Sequence, residues 1–171
     1  MNTSKRSPLA SLMQTLSKIE PNEMKATMAS FAFVFLLMTS YNILKPIRDS
    51  MASDWSDSEV AQLWTINFFI TLGINFIYSA ALSIARLKIV VPSVYGFFAF
   101  SFVAFALGHQ AFSDPVSINK AYYIWVSLFA VFHISVFWSF MADLFNKEQA
   151  KRLFGFIATG ASVGGLIGPL I

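Results

Sequence analysis

Four stretches of this chain, Met24–Leu44, Ala61–Ala85, Val90–Leu107 and Ala121–Leu144, are long, apolar and nearly free of charge. A fifth, Leu153–Ile171, runs to the last residue. An α-helix rises ~1.5 Å per residue, so ~20 apolar residues cross the ~30 Å hydrocarbon core of a bilayer. The expected fold is therefore all-α, a polytopic membrane helix bundle of about five helices behind a polar head at residues 1–23. The fifth run has no charged flank behind it. The sequence is accordingly expected to be the front portion of a longer membrane protein, with the missing C-terminal half as a partner.

Composition agrees. The chain is 56% hydrophobic and 12% charged, whereas a soluble domain carries about 25% charged residues. The 19 Phe suit lipid-facing and helix-packing roles, and the bilayer is the first expected partner. A net charge of +3 carries no nucleic-acid signature. Zero cysteines exclude disulfides, thiolate metal sites and cysteine nucleophiles. His109 and His133 lie far apart, and no residues pair as nucleophile and base. No metal, cofactor or enzymatic activity is expected.

Lys and Arg segregate between alternate gaps. Lys5, Arg6, Lys18 and Lys25 belong to the head and the start of the first run, Arg86 and Lys88 separate the second and third, and Lys147, Lys151 and Arg152 follow the fourth. The gap before the fourth run has Lys120 alone, and Lys45 and Arg48 after the first are outnumbered by Asp49, Asp54, Asp57 and Glu59. Basic residues mark cytoplasmic loops, so the N-terminus is expected inside and the fifth run to lead outward. The head does not look like a cleavable signal, because it is polar and precedes a run of spanning length. Over residues 8–20, Leu9, Leu12, Met13, Leu16 and Ile19 fall at helical spacing behind Ser7 and Pro8. That pattern fits either a short helix in the membrane interface or a frayed tail, ended by Pro21.

Polar residues inside the runs carry packing expectations. Asn67 and Asn75, eight apart, share one face of the second run with Gln62 nearby, and such amides are expected to bond between helices. His133 is expected to do the same. Asp114, Pro115 and Asn119 mark an outer loop. Asn146 and Gln149 have the spacing of a capping pair at the start of a fifth helix.

Three segments carry functional expectations. At the outer end of the first run, Tyr41, Asn42, Lys45, Arg48 and Asp49 surround Pro46, which has no N–H to give the Asn42 carbonyl and disfavours helix at Lys45. The helix therefore ends or kinks here. If it continues, Tyr41, Lys45 and Arg48 or Asp49 share a face, and the two cations either line a polar cavity for an anionic solute or snorkel to the outer headgroups with Asp49 as a salt-bridge partner. After the fourth run, Asp143 with Lys147 and Glu148 with Arg152 are spaced for i, i+4 ion pairs, with Lys151 between them. They form either a cytoplasmic latch or a solvated positive loop. In the fifth run Gly160, Gly164 and Gly168 make one small-residue ridge for close helix approach, and Pro169 adds a kink point.

These segments carry a resemblance. Ser40-Tyr41-Asn42-Ile43-Leu44-Lys45-Pro46-Ile47-Arg48-Asp49 resembles the end of the first helix in the ATP:ADP antiporter (nucleotide translocase) family, a relative of the major facilitator superfamily. Val136 to Phe145, with Glu148 to Gly155, looks like the fourth-to-fifth helix junction of its bacterial members. The Gly-x-x-x-Gly-x-x-x-Gly-Pro run is similar to the fifth-helix motif of facilitator antiporters. The resemblance implies the N-terminal part of a fold with two six-helix bundles, solute bound between them, and alternating access in a bacterial inner membrane. It also implies exchange of nucleotides, ATP against ADP, or of another anionic metabolite, with Arg48 at the position of a substrate-linked basic residue. That residue is usually lysine in the family, Pro46 is a further departure, and Ala85-Arg86-Leu87-Lys88 lacks the facilitator Gly-x-x-x-Asp-Arg signature. A facilitator of unrelated substrate and a non-transporting membrane scaffold stand as the alternatives.

Overall fold

A computed structural model describes residues 18–84, 86–111 and 116–171. They form five long helices: α1 (Met24–Ala52), α2 (Asp57–Ile84), α3 (Leu87–Ala111), α4 (Val116–Leu144) and α5 (Lys147–Ile167), closed by a 3-10 turn at Gly168–Leu170. All five are long and apolar enough to cross a membrane, so the chain is an all-α, polytopic membrane protein. In lipid every backbone N–H and C=O needs an internal partner, which a helix supplies along its whole length. The amphipathic head lies outside the described residues except at its end, where Lys18, Ile19 and Glu20 are not helical. Asp114 and Pro115 also lie outside them. Asn119, expected in the outer loop, sits inside α4.

Each helix is longer than the apolar run that announced it. The second begins at Asp57 and the fifth at Lys147, because acidic and capping residues favour a first helical turn whether or not lipid surrounds it. Asn146 and Gln149 form the expected reciprocal capping box, with Gln149 N donating to Asn146 Oδ1 at 2.9 Å and Asn146 N to Gln149 Oε1 at 3.0 Å. Of the two outcomes expected at Pro46, an end or a kink, the end does not occur: α1 runs on to Ala52 with Pro46 inside it.

The chain divides into two compact units, Met1–Ser40 with Met141–Ile171, and Tyr41–Phe140. In the first, α1 buries Thr27, Ser30, Val34 and Leu37, and α5 buries Leu153, Ile157, Gly160 and Gly164. Both sets follow the three-four spacing of a single helix face. Phe31 and Phe156 stack with centroids 5.3 Å apart. A Cβ on Gly160 would stand 2.7 Å from the Phe31 carbonyl oxygen and 3.1 Å from Val34 Cγ1, and one on Gly164 would press still harder on the Phe35 carbonyl. Backbone here meets backbone. Gly168 is buried where the helix tightens into the 3-10 turn containing Pro169.

In the second unit α4 supplies the core, with Val126, Leu128, Phe129, Phe132, Val136 and Phe137 all buried. Phe98 of α3 packs on Trp125 and Phe129 at 5.4 and 5.0 Å, and Trp125 Nε1 donates to Ser101 Oγ at 2.6 Å. Helix α2 is the contrast, since it leaves Trp64, Phe68, Phe69, Phe76 and Ile77 exposed. An aqueous surface does not carry so continuous an apolar face, whereas a bilayer or a protein neighbour covers it.

Candidate functional site

The second unit concentrates its charge chemistry on one face of α4. Tyr123 and Ser127, one turn apart, meet Arg48 from α1. The Arg48 guanidinium lies over the Tyr123 ring at 5.2 Å, and its Nη1 donates to Ser127 Oγ at 3.1 Å. Ser127 in turn donates to the Tyr123 carbonyl at 2.8 Å. The Nε and Nη2 atoms of Arg48 both donate to Asp49 Oδ1, at 2.9 and 2.6 Å. The Arg48 side chain is 16% exposed and that of Asp49 is 49% exposed. The cation is thus sheltered while its partner stays wet. A guanidinium has five N–H donors, and three bonds are made among the described residues. Donor capacity remains.

This cation borders a cavity of about 420 Å³, walled also by Trp64, Asn67 and Thr71 of α2 and by Tyr123 and Ser127. Trp64 Nε1 donates to the Tyr123 hydroxyl at 2.7 Å, which fixes the α2 wall to α4. One turn before Tyr123 along α4, Lys120 pairs with Glu59 at 2.7 Å and lies 5.8 Å from the Trp55 ring, while Trp55 meets the Tyr123 ring edge-on at 5.7 Å. Two cations, each with one carboxylate, therefore flank the same aromatic group. A second cavity in this unit, about 280 Å³ and lined by Ile77, Val90, Val94 and Phe98 among others, has no charged lining residue and is suited to apolar matter.

The residues expected at the end of the first run separate. Arg48 and Tyr41 both turn to α4, where Tyr41 stacks on His133 at 5.1 Å. Asn42 and Asp49 follow on the same helix, and Lys45 is exposed, with no ion pair among the described residues. Among the described residues His133 makes no side-chain hydrogen bond across helices. Its Nδ1 bonds the Phe129 carbonyl of its own helix at 2.8 Å, and the interhelical bond is made by its backbone, which accepts from Tyr95 Oη at 2.7 Å. Asn75 likewise turns back, donating to the Thr71 carbonyl at 2.8 Å. Among the described residues no cluster of His, Cys, Asp and Glu has the makings of a metal site.

In the first unit the charges pair differently from their sequence spacing. Neither Asp143–Lys147 nor Glu148–Arg152 forms an ion pair among the described residues. Glu148 meets Lys151 at 3.8 Å with both side chains largely exposed. Arg152 instead reaches back to Glu23 at 2.8 Å, Glu20 at 3.6 Å and the Lys18 carbonyl at 2.7 Å. The reason is burial: Glu23 is 5% exposed, and a buried carboxylate needs a cation and donors more than a wet one does. Gln149 Nε2 gives it a further bond at 2.9 Å. Lys18 holds a left-handed φ of 52°, which turns the chain beside this cluster. Burial by itself raises the Glu23 pKa, but the bonds from Gln149, the Glu20 N–H and Arg152, with the Arg152 charge, outweigh it and hold the carboxyl below its usual value.

A lowered folded pKa stabilises above the unfolded value and ceases to do so as pH falls through the folded one. Glu23→Gln is therefore expected to lower thermal stability in detergent at pH 7 by about 1–3 kcal/mol, and Glu20→Gln, at the exposed partner, by less than about 1 kcal/mol. The gap between wild type and Glu23→Gln should close on acidification below the ordinary carboxylate range. A constant gap from pH 7 down to pH 3 would show that the charge of Glu23 is not what matters.

Spacing along one chain pointed to Arg48 and its neighbour Asp49, which do pair, but to none of its partners on other helices. Tyr123, Ser127 and Trp64 were missed, Lys120 was read only as a loop charge, and Glu23 not at all. The available signal was a hydroxyl and two polar aromatics inside apolar runs. No protein-family model, curated protein or solved structure matches the chain.

Proposed function

We propose that the protein is a secondary transporter of an anionic solute, working by alternating access, with Arg48 as the counter-charge that the solute meets. The observation that carries this reading is a sheltered guanidinium, set against an aromatic ring and a hydroxyl, beside a cavity of mixed polar and apolar lining in an otherwise apolar bundle. An ionised group within a membrane span is costly, and it is found where it lines a cavity or pairs. Here it does both. Low-dielectric walls strengthen its attraction for an anion, and the planar fork fits carboxylate or phosphate. The resemblance to the ATP:ADP antiporters narrows the reading to exchange of ATP and ADP or of another anionic metabolite, in a facilitator-type fold whose other bundle forms the opposite wall. The test is counterflow in proteoliposomes: full-length protein, internal unlabelled nucleotide or organic anion, and external labelled counterpart. Failure to exchange any anion rejects the function. Exchange of other anions without ATP or ADP rejects the nucleotide assignment alone.

The proposed site is the inner membrane of a bacterium, with the N-terminus cytoplasmic as the Lys/Arg asymmetry indicates. Asp54 and Glu148 are both exposed, at opposite ends of the expected topology. In this cysteine-free chain, Asp54→Cys in intact cells should react with an impermeant thiol reagent, and Glu148→Cys only after permeabilisation. The reverse pattern would invert the orientation.

A further inference from the structure

Asn67 and Thr71 stand one turn apart on α2 and border the cavity that Arg48 borders. Asn67 Oδ1 and Thr71 Oγ1 are both shielded from solvent and have no hydrogen-bond partner among the described residues. Their neighbours behave otherwise. Thr65, also on α2, closes its hydroxyl on the Ala61 carbonyl at 2.9 Å, and Ser135 closes on Val131 at 2.9 Å. Thr71 has the same option four residues back and does not take it. A buried oxygen without a partner is unfavourable, and an apolar side chain of the same shape removes the problem. Natural structures keep few such groups, and each calls for a partner or a role. Two occur here on successive turns, beside a sheltered cation.

The chemistry of the wall is complementary to that of Arg48. The guanidinium offers only donors, whereas an amide oxygen accepts and a hydroxyl does either. A plain anion satisfies Arg48 and accepts from the Thr71 hydroxyl, but it brings no donor to the Asn67 oxygen. An anion that also carries hydroxyl or amino groups satisfies both sides of the cavity at once. We infer that Asn67 and Thr71 form a neutral hydrogen-bonding subsite in the cavity that Arg48 borders, which selects anions bearing hydroxyl or amino donors over anions without them. This rests on the anion-transport reading and adds to it the class of solute. Such selection can be strong, because a site built for a hydroxyl leaves its own groups unpaired when the hydroxyl is missing.

Matched ligands test it. Purified full-length protein is titrated with malate against succinate, and with ADP against its 2′,3′-dideoxy analogue, pairs that differ only in hydroxyls. Ligand-induced thermal stabilisation is the readout. In whichever pair binds, wild type should prefer the hydroxylated member by about tenfold or more. Asn67→Leu with Thr71→Val should bring the two members level through weaker binding of the hydroxylated one. Without ligand that variant should melt no lower than wild type, since two unpaired oxygens are gone; the single Thr71→Val, nearly isosteric, should show the same trend in smaller measure. Equal affinity for both members in wild type, or an unchanged preference in the double variant, overturns the subsite while leaving the Arg48 reading intact. Binding of none of the four ligands, together with failed counterflow of every anion, overturns both.

Discussion

Arg48→Gln is expected to cut exchange of the anionic solute by roughly ten- to a hundredfold, with membrane abundance unchanged. That range corresponds to the ~1.5–3 kcal/mol of a hydrogen bond to a charged group. Abundance should hold because glutamine still offers an amide donor toward Ser127, which Arg48 bonds at 3.1 Å, and a neutral group is easier to shelter than a cation. What disappears is the counter-charge. Arg48→Lys should keep part of the activity, since the charge survives but the fork and its place over the Tyr123 ring, at 5.2 Å, do not. The contest is with Asp49, already bonded twice to this guanidinium. Because Asp49 is half exposed, water screens that pair and its net strength is small, so an anion in the neighbouring cavity competes with it. If Arg48 only snorkels to headgroups, both variants should transport almost as wild type does. Measured with labelled ATP, ADP and a panel of organic anions in proteoliposomes, normal exchange by Arg48→Gln would remove this residue from the solute path whatever the substrate.

The helices were legible because lipid imposes a local rule: apolar for about 20 residues. Their ends were less so. Apolarity marks the hydrocarbon slab, whereas a helix continues into water as long as its turns are capped, as α2 does from Asp57 and α5 from Lys147. Pro46 looked like a break because it removes one hydrogen bond, yet α1 continues past it. Membrane helices tolerate proline where neighbouring groups make good the loss. The pairing of charges was the least legible. Spacing of i, i+4 pointed Arg152 at Glu148, but the buried Glu23, 129 positions earlier, has the stronger need of a cation. Likewise Arg48 finds Ser127 from 79 positions away. Nothing in one linear sequence encodes which helix faces which. The exception is the glycine ridge, where the absence of side chains at four-residue intervals already describes a surface.

That ridge gives the most damaging substitution. Gly164→Leu is expected to abolish accumulation of the protein in the membrane. Even the first carbon of the new side chain would lie 3.1 Å from Met38 Cβ and from Thr39 N, and closer to the Phe35 carbonyl oxygen. Backbone atoms cannot move aside as a side-chain tip can, so α5 would have to leave α1. Separation would uncover a seam that buries Val34, Leu37, Leu153 and Ile157, and between lipid-bathed helices such close packing is the main attraction. Gly164→Ala, with one carbon, should be made but melt lower by about 1–3 kcal/mol, the usual cost of overpacking. Gly160→Ala should behave similarly, with Phe31 O at 2.7 Å from the new atom. Two neighbours on the same helix separate this from a general sensitivity of α5. A Cβ at Gly155 would meet nothing within 4 Å, and Val163 is 40% exposed. Gly155→Ala and Val163→Leu should therefore accumulate and melt as wild type does, and Gly155→Ala should gain slightly from better helix propensity. Quantitative immunoblotting of membranes and melting of purified protein decide the matter. Wild-type abundance and melting for Gly164→Leu would mean that α1 and α5 do not meet along these glycines.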